Sequence, residues 1–444
     1  MKKPPDFIRE HQSDLTLALF LVAGLIGICS QAIVPGRPVA EMWGLAGSIA
    51  SHGVYANPFS TMPTGPTANN PPLYPLFLVG LIKGLRVPYL IFLVSVMGCI
   101  LANATTAVLL PRISKVFFAD AAPGIVASIL WLGAMRSILE WDTNYTIAGL
   151  VFFCCFTASF IGVDKSSGTR AVAAGAVAGL LCLLNPASIL VMLPWIGFLF
   201  WKARKDRRRA VTDCGMILAV LCLFVFGWCE RNYRVLGAFV IRTDLGIALY
   251  ASNNDCAQPT LIGSQLNGCS ALYHPNENMR EAQEFRSMGE IQYDRSRIDN
   301  AKAWMRANPA RFLRLTATRI FEFWFPAWEV LPPGAEFRSN FGIANSARNW
   351  IRQQNGVACA IWIVTGLSLP GLFLMARRRE PVVLFILAVM AIYPLMYYVV
   401  VSDMRYRFPI LWLSLLPAGY FLCELLGRHA KVPIEGFQET AQSR

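Results

Sequence analysis

Ten long apolar runs, separated by short connections that hold most of the charge, recur along this 444-residue chain. Several runs approach the ~20 residues that a helix needs to cross a ~30 Å hydrocarbon core, and the shorter ones suit tilted or locally thinned spans. Lipid offers the backbone no hydrogen-bonding partner, so each span must be helical. We therefore predict an all-α membrane protein with about ten transmembrane helices. The runs are 15–34, 88–110, 121–135, 145–163, 171–184, 187–201, 211–228, 356–376, 381–401 and 408–426.

Basic residues in the short connections predict the orientation. Lys and Arg in short loops are retained on the cytoplasmic side of a membrane. If the N-terminus is inside, every basic cluster falls on that side, including those at 202–209 and 377–379. We expect a multi-pass protein of the cell membrane, of the bacterial inner-membrane type, with both termini cytoplasmic. The net charge of +13 is then largely a topogenic signal, and nucleic acid is not an expected partner.

Two regions on the predicted outer side are too long to be simple connectors. The first long loop, residues 35–72, is expected to contain a helix at 39–52, followed by a stretch rich in Pro and Gly. Residues 73–85 are apolar but too few to cross, and they are interpreted as a half-buried or re-entrant helix. The second region is an insertion, residues 229–351, that can form a domain outside the membrane.

The insertion is expected to be mainly helical. Its first part, 235–250, is predicted to be extended, and helices are predicted from about residue 277 with a break at Asn308 and Pro309. The segment after this break is amphipathic and carries several arginines, among them Arg319, so it is expected to lie along the membrane surface. The chain thus divides into an N-terminal membrane half (1–228), the insertion (229–351), and C-terminal membrane helices with a cytoplasmic tail (352–444).

Cys256 and Cys269 differ from most of the twelve cysteines, which lie inside apolar runs as small buried hydrophobes. The pair lies in a polar loop of the insertion. An oxidising compartment on the outer side would allow a disulfide between them. On the sequence alone, a disulfide and two free thiols both remain open.

Three acids, Glu41, Asp142 and Asp403, lie in short segments on the predicted outer side. Carboxylates at a membrane surface indicate either transport or chemistry. Coupled transporters place acids or His deep within their spans, whereas the span interiors here are nearly free of them. This weakens the interpretation as a transporter, although a lipid flippase with groove residues near the surface stays open.

Short motifs follow one another in order on this side of the chain. They are EMWGLA at 41–46, TGPTA at 64–68, PPLYP at 71–75, WDT at 141–143, NP at 185–186, RNY at 231–233, NN at 253–254 and DMRYRFP at 403–409. Together they resemble the GT-C fold glycosyltransferases, polytopic enzymes that use polyprenyl-phosphate-linked sugars. Within that group the chain looks most like the glycosyltransferase family 39-like relatives of the protein mannosyltransferases and aminoarabinose transferases. The resemblance covers nearly the whole chain and implies a GT-C-like helix bundle.

The resemblance also implies roles for particular residues. Glu41 stands where the family usually has an aspartate and would be the general base, while Asp142 would be a second catalytic acid or a metal ligand. Arg405 and Arg407 would bind the lipid phosphate, and Asp403 would orient one of them.

Each of these residues has a structural interpretation as well. Glu41 suits the dipole of the predicted helix, Asp142 suits a helix N-cap, and the two arginines suit interfacial side chains that reach the headgroups. The other candidate substrate-binding residues are Tyr406, His52 and Arg231. Glu41, Asp142 and His52 could together hold a divalent metal ion, so the need for a metal cofactor is left undecided.

The expected reaction is a single displacement at the outer face, which inverts the anomeric carbon. A carboxylate base activates a glycan, lipid or protein acceptor, and a polyprenyl phosphate departs, stabilised by a fixed cation. Cytoplasmic nucleotide sugars are not the expected donors, since the chain contains no Asp-x-Asp triplet, Gly-rich phosphate loop or Rossmann fingerprint. A lipid-linked glycan flippase and a noncatalytic membrane assembly protein are the alternatives.

Overall fold

The computed structural model describes residues 11–33, 40–134, 141–161, 168–203, 207–330 and 344–427. Some predicted segments lie outside the described residues. They are the start of the first long loop (34–39), the centre of the basic connection (204–206), the end of the insertion (331–343) and the predicted cytoplasmic tail (428–444).

Helices make up nearly all the regular structure of the described residues. In chain order the α-helices are α1 (Gln12–Ile33), α2 (Ala40–His52), α3 (Leu73–Leu85), α4 (Pro88–Phe118), α5 (Ala122–Ala134), α6 (Asp142–Ala158), α7 (Gly168–Leu184), α8 (Ile189–Lys202), α9 (Arg207–Leu236), α10 (Leu245–Ser252), α11 (Leu261–Leu266), α12 (Ser270–Tyr273), α13 (Met279–Met288), α14 (Glu290–Ala307), α15 (Pro309–Trp324), α16 (Ala344–Arg377), α17 (Val382–Ile392) and α18 (Phe408–Leu425). Every predicted apolar run overlaps with one of them, namely α1, α4 to α9, and α16 to α18.

Five helices in the described part of the chain are long and apolar enough to cross a membrane, by length and composition. Their apolar stretches are Gln12–Ser30, Pro88–Phe118, Arg207–Leu236, Trp350–Arg377 and Phe408–Leu425. The helices in the remaining apolar runs are shorter. One of these, α17, gives way to the 3-10 helix Tyr393–Met396. Pro394 lacks the N–H that would continue the α-helical pattern.

The last helix, α18, lies at the centre of the bundle. It packs against α16 and α5, and nearly all its side chains are buried. Two glycines let backbones meet there: a Cβ on Gly371 would collide with the carbonyl oxygen of Pro417, and one on Gly419 with that of Pro123. Small residues permit such close contacts between membrane helices. The turn that precedes α18 is therefore held on a rigid support.

The segment 235–250 is not extended, contrary to the prediction. Helix α9 continues to Leu236, and α10 begins at Leu245. Between them the chain turns at Gly237 (φ 74°) and folds back onto α9, where the Asn232 side chain donates to the Val240 carbonyl at 2.8 Å. Residues 245–252 have only one β-branched and one aromatic side chain among Leu and Ala, which favour a helix, and this helix packs against α14.

Helix α15 starts at Pro309, as the Asn308 and Pro309 pair predicted, and one side of it is apolar and exposed. Arg319 is not on that exposed surface, contrary to the prediction for this helix. It is buried and donates to the Ser252 carbonyl at 2.5 Å and to the Asn253 side chain at 3.2 Å. Arg319 therefore connects α15 to the end of α10. Whether α15 lies along a membrane surface stays a prediction.

Candidate active site

Five residues from distant parts of the chain form one polar cluster. Helix α2 contributes Glu41, the start of α6 contributes Asp142, and the 3-10 turn before α18 contributes Arg405. The insertion contributes Arg242 and His274. Both arginines interact electrostatically with both acids, and His274 contacts Glu41. The cluster therefore combines two carboxylates, two guanidinium groups and one imidazole.

Glu41 lies in the first turn of α2, where a negative charge interacts favourably with the helix dipole. Buried Met42 and Ala46 fix this helix in a small hydrophobic core together with Tyr74 and Leu78 of α3. The Glu41 side chain remains 21% exposed, and its Oε1 lies 3.7 Å from Nε2 of His274. A hydroxyl group of a substrate can therefore reach this carboxylate.

Asp142 is buried, with 5% of its surface exposed, and it is the first residue of α6. The extended residue Trp141 occupies the cap position, so Asp142 is not the N-cap residue. Its carboxylate accepts N–H groups of its own helical turn, but Oδ1 is buried without a hydrogen-bond partner. Leaving a buried acceptor unpaired costs about 1–3 kcal/mol. A helix start alone does not explain this arrangement, whereas a ligand donor would satisfy it.

Asp403 and two aromatic rings hold Arg405 in place. Asp403 accepts the backbone N–H of Arg405 at 2.9 Å, and its Oδ2 lies 3.2 Å from Arg405 Nε as an ion pair. The guanidinium carbon lies 4.5 Å from the ring centroid of Trp141 and 5.3 Å from that of Tyr406. Burial lowers the pKa of Arg405, but Asp403, Tyr406 and Glu41 outweigh it and keep the pKa above its usual value. The side chain is a permanent cation beside the two acids.

Arg242 is the second cation of the cluster, and the sequence analysis missed it. Its Nε donates to the Asn69 carbonyl at 2.8 Å and its Nη2 to Asp244 Oδ2 at 2.6 Å. Burial lowers the pKa of Arg242, but the carboxylates of Asp244, Glu41 and Asp142 raise it by a larger amount. The pKa is therefore above its usual value. The side chain is 39% exposed. An arginine two residues before an acid in an otherwise largely apolar stretch was the available signal, and the prediction of an extended segment obscured it.

Comparison with solved structures identifies the architecture. The fold is similar to that of an oligosaccharyltransferase from Archaeoglobus fulgidus tethered to an acceptor peptide with the NVT sequon, with a TM-score of 0.53 and 12% identity over 95% of this chain and 50% of that chain. The apo form of an oligosaccharyltransferase from the same organism gives 0.52 and 13% identity over 93% and 51%. These proteins are GT-C fold glycosyltransferases. The chain has the GT-C fold.

A third structure supports the same fold assignment. Archaeal oligosaccharyltransferase AglB from Archaeoglobus fulgidus, in complex with an inhibitory peptide and a dolichol-phosphate, gives a TM-score of 0.50 at 13% identity over 94% of this chain and 51% of that chain. The chain thus spans about half the length of these GT-C proteins. No protein-family model and no curated protein sequence matches it. The predicted all-α membrane architecture with a GT-C-like bundle is confirmed, and at such identities the similarity is one of fold.

Three predicted site residues of this GT-C bundle do not join the polar cluster. Arg407 is 1% exposed, donates to the Trp324 carbonyl at 2.6 Å and to Ser414 Oγ at 3.1 Å, and lies inside the bundle. His52 is exposed at the far end of α2, about 16 Å along the helix from Glu41 at 1.5 Å per residue. The third, Arg231, binds the first long loop.

Arg231 fastens the first long loop to the end of α9. It donates to the Thr67 carbonyl at 2.7 Å and to the Tyr55 carbonyl at 3.1 Å, and it lies over the rings of Tyr55 and Trp228. Its guanidinium group is therefore engaged by the protein. Its effect on the site is to hold the loop that follows Glu41.

Two further predictions concern a metal site and a disulfide. His52 does not join Glu41 and Asp142, and no group of three or more His, Cys, Asp or Glu side chains suited to a metal ion occurs among the described residues. The described side chains therefore do not supply three such ligands for a metal ion. Cys256 and Cys269 are joined by a disulfide in the insertion.

Proposed function

We propose that this protein is an integral-membrane glycosyltransferase that moves a sugar from a polyprenyl-phosphate donor to an acceptor at the extracytoplasmic face. The observation that carries the proposal is the juxtaposition of Glu41 and Asp142 with Arg242 and Arg405 at one end of a GT-C bundle. One of the similar oligosaccharyltransferases was solved with a dolichol-phosphate and an inhibitory peptide. That fits a lipid phosphate and an acceptor as the two ligands.

The exposed acid, Glu41, is the proposed general base. It takes the proton from the acceptor hydroxyl as that oxygen attacks the anomeric carbon of the sugar. The bond between this carbon and the phosphate oxygen breaks, and the phosphate leaves with the bonding electron pair. Because attack and departure occur on opposite faces in one displacement, the configuration inverts.

The two guanidinium groups are the proposed phosphate site. Negative charge grows on the phosphate as the bond breaks, and a fixed cation stabilises that charge most strongly in a partly dry site. Arginine suits this role because its planar fork can make two charge-assisted hydrogen bonds to one phosphate. Arg405 is already held by Asp403, and Arg242 by Asp244, so little reorganisation is needed when the donor binds.

Asp142 is the proposed orienting group. Its unpaired Oδ1 is buried and lies within electrostatic range of both arginines. It would accept a hydrogen bond from a sugar or acceptor hydroxyl and keep the two guanidinium groups from repelling each other. A buried carboxylate is poorly placed to exchange its proton with solvent, which is why Glu41 rather than Asp142 is assigned as the base.

The test uses the purified protein in nanodiscs with a panel of polyprenyl-phosphate sugars and candidate acceptors. Acceptor-dependent release of polyprenyl phosphate is expected for the wild type, and Glu41→Gln should reduce it by about 10²–10⁴-fold, the usual contribution of a general base. Glu230→Gln is the matched control, since Glu230 pairs with Arg234 on α9 outside the cluster. Leaflet exchange of the donor without bond cleavage would indicate a flippase instead. Wild-type turnover by Glu41→Gln would remove Glu41 from the mechanism.

A further inference from the structure

The imidazole of His274, from the insertion, faces Glu41 across the polar cluster. Its Nε2 lies 3.7 Å from Glu41 Oε1, and the two side chains are 28% and 21% exposed. The separation is about 0.5–0.8 Å longer than an N–H···O hydrogen bond. Catalytic hydrogen bonds are often long in unliganded structures and shorten when substrate binds.

The other ring nitrogen determines which tautomer His274 adopts. The backbone N–H of Asn276 donates to Nδ1 at 3.1 Å. A nitrogen that accepts a hydrogen bond carries no proton, so the neutral ring has its proton on Nε2. The group directed at Glu41 is therefore an N–H donor whether the imidazole is neutral or protonated.

Hydrogen bonds attach residues 274–276 to the first long loop. The side-chain oxygen of Asn276 accepts hydrogen bonds from the backbone N–H of Ser60 at 2.8 Å and from its hydroxyl at 2.9 Å. The hydroxyl of Thr61 donates to the Pro275 carbonyl at 2.7 Å. These bonds join the imidazole to the loop that follows α2, and hence to the element that carries Glu41.

The chain before His274 is held as well. The disulfide between Cys256 and Cys269 closes the loop immediately before α12, and the backbone N–H of His274 donates to the Ser270 carbonyl at 3.1 Å. The ring of Phe59 packs edge-on against the imidazole. The imidazole is thus fixed by contacts on both sides and through its own Nδ1.

We propose that His274 is a positioning residue for Glu41. Its Nε2–H binds one carboxylate oxygen, and the other oxygen is thereby directed at the acceptor hydroxyl. No proton moves to the imidazole, because Nε2 already carries one and Nδ1 is occupied by Asn276. A glutamate side chain is flexible, so fixing one oxygen reduces the conformations in which the base is misplaced. The proposal rests on the proposed function, in which Glu41 is the base.

Three variants of His274 separate its hydrogen bond from its packing. His274→Phe keeps an aromatic ring against Phe59 but has no donor. His274→Gln can place an amide N–H near the position of Nε2, whereas His274→Asn has the same chemistry but is too short to reach. Leu272→Ala, at an exposed position on α12, is the control.

The measurement is turnover in nanodiscs, followed as polyprenyl phosphate release, together with the midpoint of thermal unfolding. His274→Phe and His274→Asn should lower kcat by about 10- to 100-fold, since a misplaced base affects the chemical step. The KM for the donor and the KM for the acceptor should change little. His274→Gln should recover most of the loss, and Leu272→Ala should match the wild type. The midpoints of thermal unfolding should be nearly equal for all these variants. If His274→Phe does not fold, the contrast between Gln and Asn still tests the donor.

Two results would overturn the positioning role. One is a wild-type kcat in His274→Phe or His274→Asn, and the other is an equal loss in the Gln and Asn variants. Glu41→Gln, measured in parallel, distinguishes this failure from failure of the proposed function. If Glu41→Gln is inactive while His274→Phe is fully active, only the role of His274 is wrong. If Glu41→Gln is fully active, the assignment of the base is wrong.

Discussion

The carboxylate of Glu290 accepts a hydrogen bond from the backbone N–H of Ala68 at 2.9 Å. Glu290 begins α14 of the insertion, and Ala68 belongs to the first long loop. The same carboxylate oxygen accepts the hydroxyl of Thr243, which is the neighbour of Arg242 in the polar cluster. One buried side chain thus fixes both the loop and the segment that carries a proposed phosphate ligand.

Replacing Glu290 should therefore loosen this connection. Glu290→Ala leaves the buried N–H of Ala68 unpaired and is expected to reduce the free energy of unfolding by about 1–3 kcal/mol. Glu290→Gln keeps an acceptor oxygen and should be milder. The midpoint of thermal unfolding in detergent measures both. Asp299→Ala, at an exposed position of the same helix, is the control. If Glu290→Ala matched this control, the bond to Ala68 would contribute nothing.

The raised pKa of Asp294 predicts that the stability of the insertion depends on pH. Burial raises its pKa from the usual 3.8 to about 6; the Gly246 N–H opposes the shift, and Asp244 and Glu290 add to it. The folded state therefore binds this proton more tightly than the unfolded chain. As a result, stability should fall as the pH rises from about 4 to about 6, and this effect should be complete above that range.

The variant Asp294→Asn tests this pH dependence. The amide keeps an oxygen that can accept the Gly246 N–H, which donates to Asp294 Oδ1 at 2.6 Å. Because the amide is uncharged, the Asp294→Asn variant should be more stable than the wild type at pH 7. Its stability should also change less with pH between pH 4 and 6. Thermal unfolding across this pH range gives the comparison. A wild-type slope retained in Asp294→Asn would assign the titration to another group.

The helices of the membrane region could be predicted because their cause is local. A run of apolar residues must fold as a helix in lipid whatever its neighbours are, and each predicted run overlaps with a helix. The segment 235–250 could not be predicted in this way. Its helix, 245–252, packs against α14, about fifty residues further along, and the local composition does not show that contact.

The candidate site shows the same division. Glu41, Asp142 and Arg405 were predicted from short motifs, and each lies in the first turn of a helix or in a short 3-10 turn. Arg242 and His274 were missed, because the folding of the insertion onto the first long loop brings them to the acids.

The two motif arginines separate for a geometric reason. Arg405 and Arg407 lie in and just after a 3-10 turn, which has about three residues per turn. Residues two apart therefore point to different sides. One guanidinium group reaches the polar cluster, and the other is buried against Trp324.

The orientation in the membrane can be tested on described residues of both predicted sides. Leu272 is exposed on α12 of the insertion, and Arg377 is exposed at the end of α16. In a background that retains only Cys256 and Cys269, Leu272→Cys should react with an impermeant thiol reagent added to intact cells. Arg377→Cys should react only after the membrane is opened, because Lys and Arg in short loops stay in the cytoplasm. The reverse pattern would invert the topology.

The arginines give the sharpest test of the donor site, because the same substitution should have two different effects. Lysine keeps the charge but cannot reproduce the planar fork. Arg405→Lys and Arg242→Lys should raise the KM for the polyprenyl-phosphate donor about tenfold or more, since a hydrogen bond to a charged group contributes about 1.5–3 kcal/mol and 1.4 kcal/mol corresponds to a tenfold change. Steady-state kinetics at varied donor concentration measures the KM of both variants.

Arg407→Lys should behave differently, because its guanidinium group is buried and bonded to the Trp324 carbonyl and the Ser414 hydroxyl. We expect a lower midpoint of thermal unfolding and an unchanged KM for the donor. The pair Arg405→Lys and Arg407→Lys is thus its own control: one substitution affects the donor and the other affects stability. If Arg407→Lys raised the KM while Arg405→Lys did not, the phosphate site would lie inside the bundle and the polar cluster would have another role.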